Sequence, residues 1–175
     1  MARILILYST TDGHTREICA RLQRQIENAG HQVVVVPVTE APDIDLRLFD
    51  KIVIGASIRY GRHSPAVHDF INHNVAVLES RPSAFFSVNV VARKPGKNRP
   101  ETNPYLQKFL RQIRWQPQEL AVFAGKIDYP RYGFLDRVMI RLIMWITHGP
   151  TDPATVVEFT DWAQVEAFGR VVSEM

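Results

Sequence analysis

The sequence of 175 residues contains a single cysteine, Cys19, so an intramolecular disulfide cannot form. It has no CxxC pair and no Cys/His spacing typical of a metal site, so we predict no metal centre. The ATP-binding motif GxxxxGK[ST] and the motif GxGxxG are absent as well. One cysteine in a chain of this length is typical of the reducing cytoplasm, which is the compartment we predict.

Long apolar runs are also missing. No segment reaches the ~18 uninterrupted apolar residues of a membrane-spanning helix. The N-terminal run Ile4–Tyr8 lacks the length and the cleavage site of a secretory signal. We therefore expect no transmembrane protein, and a peripheral membrane protein stays open.

Acidic residues are scarce in one part of the chain. Residues 93–141 hold eleven Lys/Arg against four Asp/Glu, whereas the rest holds ten against fourteen. This basic region favours an anionic partner such as a membrane surface or an acidic ligand. We predict no nucleic-acid binding, because the sequence shows no nucleic-acid motif and no interleaving of basic and aromatic residues.

Two kinds of apolar pattern alternate along the sequence. Short apolar runs typical of buried strands are each followed by a pattern with the 3.6-residue period of a helix. This alternation predicts one α/β domain over residues 1–175, with a five-stranded parallel sheet and helices on both faces. An extra segment, near 126–155, precedes the last helix. The predicted strands are 3–8, 32–36, 50–55, 84–91 and 119–125.

A loop rich in hydroxyl groups, residues 9–15, joins the first strand to the first helix. Hydroxyls and backbone amides at a helix N-terminus suit a phosphate dianion. The loop contains no lysine or arginine, which favours a monophosphate over ATP. The alternative is a helix cap that binds nothing.

Two further loops follow strands at the same edge of the sheet, where ligands bind in such folds. Loop 56–61 offers Tyr60 for stacking on a planar ligand and Arg59 for an anionic substrate. The loop that begins at Ser87 offers Asn89 and backbone groups to the edge of a heterocycle. Each of these loops could also be an ordinary strand end.

Together the three loops resemble those of the flavodoxin-like family, which binds FMN. The stretch Ser9-x-Thr11-x-Gly13-x-Thr15 is similar to the family's phosphate motif. Asp12 is an apparent extra residue, and we expect its side chain to face away from the phosphate. The resemblance implies a doubly wound flavodoxin-like sandwich with strand order 2-1-3-4-5.

Three longer motifs, 53–61, 82–95 and 129–132, resemble one subgroup, the bacterial quinone-dependent protoporphyrinogen oxidases of flavodoxin type. The similarity extends from Ile4 to about Phe168. It implies FMN-dependent oxidation of protoporphyrinogen IX to protoporphyrin IX in haem biosynthesis. It also implies a membrane quinone as electron acceptor, and a peripheral location on the cytoplasmic face of the inner membrane.

The resemblance and the loop positions predict the site residues. We predict no catalytic side chain, because the flavin carries the redox chemistry. The predicted substrate residues are cations that could pair with the two propionates of the porphyrinogen: Arg59, Arg93, Lys94, Lys126 and Arg131. The predicted cofactor-binding residues are Ser9, Thr10, Thr11, Asp12, Gly13, His14, Thr15, Ser57, Ile58, Arg59, Tyr60, Gly61, Ser87, Val88, Asn89 and Val90.

The extra segment contains a mostly apolar stretch, Phe134–Thr147. Arg137 and Arg141 are four residues apart and share a helical face, and Trp145 lies near the end. Such a helix fits the membrane interface. The alternatives are a helix that covers the domain's own core and a contact between copies in a homo-oligomer.

Other functions stay open at this point. A flavodoxin-type electron carrier would bind FMN without a substrate of its own, although such carriers are usually acidic. An NAD(P)H:quinone-type flavin reductase is a second alternative. A binding or signalling module with the same topology and no flavin is a third.

Overall fold

The computed structural model describes residues 1–175 and contains one sheet with five long parallel strands. The strands of this sheet are β1 (Arg3–Ser9), β2 (Gln32–Pro37), β3 (Lys51–Arg59), β4 (Arg62–His63), β5 (Ser83–Asn89) and β6 (Glu119–Ala124). The long strands run in the order β2-β1-β3-β5-β6. This is the predicted order 2-1-3-4-5, because the two-residue β4 shifts the numbers of the last two strands by one.

Helices cover both faces of the sheet, as predicted. One apolar cluster packs β1, β3 and β5 against the second and third helices, and another packs them against the first and last helices. Three helices begin with a side-chain cap, formed by Ser64, Asn103 and Asp161. The helices are α1 (His14–Asn28), α2 (Pro65–Glu79), α3 (Pro104–Leu110), α4 (Phe134–Ile146) and α5 (Trp162–Glu174).

The central strands are apolar without interruption because they have a core on each side. Leu5 and Leu7 of β1 belong to one cluster, and Ile4 and Ile6 belong to the other. Successive side chains of a strand point to opposite faces, so a strand buried on both sides needs apolar residues at every position. This arrangement leaves the carboxyl ends of the strands as the place for polar loops.

Loop 56–61 differs from its prediction. The structure continues β3 to Arg59, so a loop beginning at residue 56 is wrong, and β4 pairs back against the end of β3. The turn between them is Tyr60–Gly61, with positive φ at both residues (50° and 75°). This is the backbone of the tight two-residue hairpin turn that follows the twist of its strands. Tyr60 is therefore presented at the tip of a hairpin.

The predicted extra segment 126–155 forms, together with residues 156–158, a small unit with its own two-stranded sheet. Strands β7 (Lys126–Asp128) and β8 (Val156–Glu158) pair antiparallel, and α4 lies between them in sequence. Its apolar cluster consists of Ile127, Tyr129, Tyr132 and Met144. The three-residue strands were not predicted, because a run that short carries no period. None of the helices is long and apolar enough to cross a bilayer.

Candidate cofactor and substrate cleft

A cleft of about 1060 Å³, its open mouth included, lies at the carboxyl ends of β1, β3 and β5. All three predicted loops and the segment 126–155 contribute to its walls. Ligands of α/β sheets bind at this edge. Predicted cofactor residues in the lining are Thr10, Thr11, Asp12, His14, Thr15, Ser57, Ile58, Arg59, Tyr60, Gly61, Val88, Asn89 and Val90.

The loop after β1 has one polar group that lacks a partner. Thr15 is fully buried at the start of α1, and its hydroxyl makes no hydrogen bond. Leaving such a group unsatisfied costs about 1–3 kcal/mol. The neighbouring Gly13 has a φ of 89°, which glycine adopts readily, and its amide donates to Thr10 Oγ1 at 2.9 Å. An anion with several oxygens would satisfy Thr15.

The hairpin β3–β4 is connected to both neighbouring walls of the cleft. Arg59 Nη2 donates to both carboxylate oxygens of Asp12 at 2.7 Å, so Asp12 faces the hairpin. The Arg59 guanidinium also lies over the rings of Tyr60 and Tyr132, 5.8 and 5.5 Å from their centroids. The Tyr60 hydroxyl donates to Asp136 of α4, which raises the pKa of that phenol.

The loop after β5 begins at Val90 and not at Ser87 as predicted, because β5 continues to Asn89, and it is held from inside the protein. Asn89 Oδ1 accepts from the Ala92 amide and from Asn103 Nδ2, both at 3.0 Å, and Asn89 Nδ2 donates to Ser87 Oγ. The Asn89 side chain is therefore fully occupied, and only the backbone around Val88 and Val90 is left for a ligand. Ser87 and the predicted Ser9 and Gly13 lie outside the lining.

Two histidines close to the loops have structural partners. His14 Nε2 donates to Thr160 Oγ1 at 2.6 Å, since the Thr160 hydroxyl itself donates to a backbone carbonyl. His63 Nε2 lies 2.9 Å from Ser87 Oγ, against the rings of Phe85 and Phe109. Burial lowers the pKa of His63 to about 3, so this imidazole is neutral.

The predicted substrate cations separate into two groups. Arg59, Lys126 and Arg131 line the cleft, and the last two make no side-chain hydrogen bond or ion pair. Arg93 and Lys94 lie outside the lining. The Arg93 guanidinium donates to the carbonyls of Val90 and Thr147, and its burial lowers the pKa of Arg93. Arg93 thus holds the end of α4 against the loop after β5.

Several residues that line the cleft were not predicted from the sequence. Ile140, Ile143 and Met144 lie at offsets of three and four on the inner face of α4, so helical periodicity could have found them. Nothing comparable marks Tyr105, which reaches the cleft from the start of α3. The remaining unpredicted residues of the lining are Glu17, Val91, Gly125, Ile127, Asp128 and Tyr132.

Comparison with known families assigns the fold. Residues 5–154 match the family described as flavodoxin domain. The chain belongs to the flavodoxin family. The flavodoxin-like doubly wound fold agrees with solved structures of oxidised flavodoxin 1 from Bacillus cereus and of an archaeal flavodoxin. Their TM-scores are 0.55 and 0.51, at 13% and 15% identity, over 98% of this chain and 97% and 96% of theirs.

Closer relatives share much more sequence with this flavodoxin-family chain. The protein of Escherichia coli (strain K12) named protoporphyrinogen IX dehydrogenase (quinone) is 45% identical over 173 residues, 99% of this chain and 96% of the relative. The Leishmania major protein of the same name is 45% identical over 167 residues, 95% of this chain and 72% of the relative. The similarity therefore includes α4 and the strands around it.

A flavodoxin domain binds FMN, and the cleft fits that cofactor. The unpartnered hydroxyl of Thr15 and the backbone amides at the start of α1 suit its phosphate. The hairpin with Tyr60 and the backbone after β5 border the space left for a planar ring system. The cleft then continues past this space to the apolar inner face of α4.

Proposed function

We propose that this protein is a quinone-dependent protoporphyrinogen IX dehydrogenase that uses FMN. The observation that carries the proposal is the 45% identity to a protein of that name over 99% of this chain. Bound FMN supplies the two-electron redox chemistry that converts the porphyrinogen to protoporphyrin IX and reduces the quinone. The chain's own residues position the reactants and exclude water.

The walls of the cleft support an amphipathic substrate. Ile140, Ile143 and Met144 offer an apolar surface on α4, and Lys126 and Arg131 offer two cations without partners nearby. A porphyrinogen has an apolar ring body and two propionates, so it matches both features. We propose that Lys126 and Arg131 bind the propionates by charge-assisted hydrogen bonds.

The decisive experiment is an assay without oxygen. FMN-loaded protein is mixed with protoporphyrinogen IX and a menaquinone analogue, and porphyrin fluorescence is followed. Growth that depends on the quinone and exceeds an enzyme-free control is the expected result. Bound FMN without such growth would overturn the proposal and favour an electron carrier or another flavin reductase.

The substrate residues have their own test. We expect the double variant Lys126→Gln, Arg131→Gln to raise KM for protoporphyrinogen IX about tenfold, because two charge-assisted contacts are lost. Lys94→Gln is the matched control, because Lys94 lies outside the cleft, and it should leave KM unchanged. Equal effects in both variants would contradict the assignment.

We further propose that α4 binds the surface of the membrane that contains the quinone, at the cytoplasmic face of the inner membrane. Seven of its large apolar side chains are exposed, among them Leu135 at 76% and Trp145 at 71%. Arg137 and Arg141 of the same helix donate to the carbonyls of Tyr132 and Thr151. An exposed apolar helix face of this kind inserts into the headgroup boundary.

Sedimentation with vesicles of anionic phospholipid tests the membrane proposal. Each large apolar side chain buried is worth about 1.5–3 kcal/mol, so Leu135→Ser with Trp145→Ser should weaken vesicle binding at least tenfold. Leu48→Ser is the matched control, since Leu48 is 59% exposed outside α4. Unchanged binding would contradict the proposal, and a dimer lost in the double variant would favour a homo-oligomer contact instead.

A further inference from the structure

The ion pair between Asp12 and Arg59 joins the loop after β1 to the hairpin β3–β4, which form neighbouring walls of the cleft. Its two N–O distances are both 2.7 Å, and the Arg59 side chain is 19% exposed between the rings of Tyr60 and Tyr132. A guanidinium held by two oxygens and two aromatic faces has little freedom to leave. Arg59 is therefore a fixed charge at this site.

The loop at residues 9–15 has a net negative charge, which is unfavourable for binding an anionic phosphate. Residues 9–15 contain no lysine or arginine, but they contain Asp12 next to the amides that face a phosphate. A carboxylate in the same short loop as a bound phosphate dianion would repel it, and the repulsion is stronger in a cleft that is partly shielded from water. Arg59 is the charged group that the structure places against this carboxylate.

We propose that Arg59 is a positioning residue for the FMN phosphate and acts by neutralising Asp12. The inference rests on the proposed binding of FMN and adds a role for Arg59 that differs from contact with substrate. The guanidinium cancels the negative charge of the loop and turns the carboxylate toward the hairpin. The loop amides and the Thr15 hydroxyl are then free to bind the dianion.

Comparing the binding of FMN and riboflavin distinguishes an effect of Arg59 on the phosphate from an effect on the shape of the hairpin. Riboflavin has the same ring system as FMN and no phosphate, so it senses the shape of the hairpin and not the charge of the loop. Affinities of both flavins for the apo-protein are measured by quenching of flavin fluorescence. A wild-type protein that binds no FMN would overturn the proposed function and this inference with it.

We expect Arg59→Gln to weaken FMN binding about tenfold and riboflavin binding less than twofold, because it leaves the Asp12 carboxylate uncompensated. The double variant Asp12→Asn, Arg59→Gln should return FMN affinity to within about threefold of the wild type. Asp12→Asn alone should bind FMN at least as tightly as the wild type, because the arginine charge remains.

Arg62→Gln is the matched control, since Arg62 is an exposed arginine of the same hairpin and pairs with Arg59 across its strands. It should leave both affinities unchanged. Equal loss of FMN and riboflavin in Arg59→Gln would overturn the inference and assign Arg59 to the shape of the hairpin. An FMN affinity that stays as low in the double variant Asp12→Asn, Arg59→Gln as in Arg59→Gln would overturn it as well. A thermal unfolding curve of each variant confirms that it is folded.

Discussion

Helices α1 and α4 both have a clear apolar face in the sequence. In the structure the face of α1 is buried, whereas most of the face of α4 is exposed. In α1, Ile18, Leu22 and Ile26 are completely buried against the sheet. In α4 only Met144 is buried, and Leu135 and Trp145 are among seven exposed large apolar residues. Periodicity therefore reveals that a helix has an apolar face, whereas the neighbouring elements decide what covers it.

The largest effect that this comparison predicts is on stability. Leu22→Ala removes a fully buried side chain from the tight packing of α1, so we expect the free energy of unfolding to fall by about 2–5 kcal/mol. Urea unfolding followed by circular dichroism measures the loss. A loss below about 1 kcal/mol would mean that the surrounding side chains close the cavity and that the packing around Leu22 is loose.

A substitution at the start of α1 should affect ligand binding and stability differently. Thr15→Val keeps the shape of the side chain and removes its unpartnered hydroxyl. We expect FMN affinity to fall about 10- to 100-fold through loss of one charge-assisted hydrogen bond. The apo-protein should be as stable as the wild type or more so, because no buried polar group remains unsatisfied. Flavin titration measures the affinity and urea unfolding of the same samples measures the stability. A less stable apo-protein would mean that the Thr15 hydroxyl has a partner within the protein.

The pH dependence of stability tests the packing of the sheet, through the buried His63 of β4. Burial lowers the pKa of His63 to about 3, whereas the unfolded chain takes up this proton below about pH 6.5. The free energy of unfolding should therefore fall as pH drops below about 6.5, by about 2 kcal/mol at pH 5. His63→Gln should remove most of this loss. An unchanged slope between pH 7 and pH 5 in the variant would show that other groups cause it.

The smallest expected effect belongs to the exposed face of α4. Leu142 is 47% exposed, so Leu142→Ala should change the free energy of unfolding by no more than about 0.5 kcal/mol. The same urea experiment as for Leu22→Ala makes the two helices directly comparable. A loss above about 1 kcal/mol would mean that α4 is covered in solution, by a second copy or by another part of the chain.

The sequence predicts most of this fold because its strong signals are local. Continuous apolar runs identify the five long strands, and Ser64, Asn103 and Asp161 identify three helix starts. The short strand β4 and the pair β7–β8 are missed because two or three residues carry no period. Their formation depends on partners that are distant in sequence or on a turn with positive φ.

The site is predictable in its position and less so in its chemistry. Strand order places the three loops together, so the lining contains most of the predicted residues. Hydrogen bonding decides which of their side chains are free, and the sequence does not contain that information. Asn89 and Arg93 are polar residues at suitable positions, yet both are occupied inside the protein, whereas Lys126 and Arg131 are not.

The complete burial of Cys19 has a practical consequence. It is the only thiol in the chain, it is 0% exposed, and burial raises its pKa, so we expect no reaction with alkylating reagents in the folded protein. A cysteine introduced at the exposed Trp145 would then be the single reactive thiol. An environment-sensitive dye attached there would report directly how deeply α4 enters a lipid bilayer, with no background labelling to subtract.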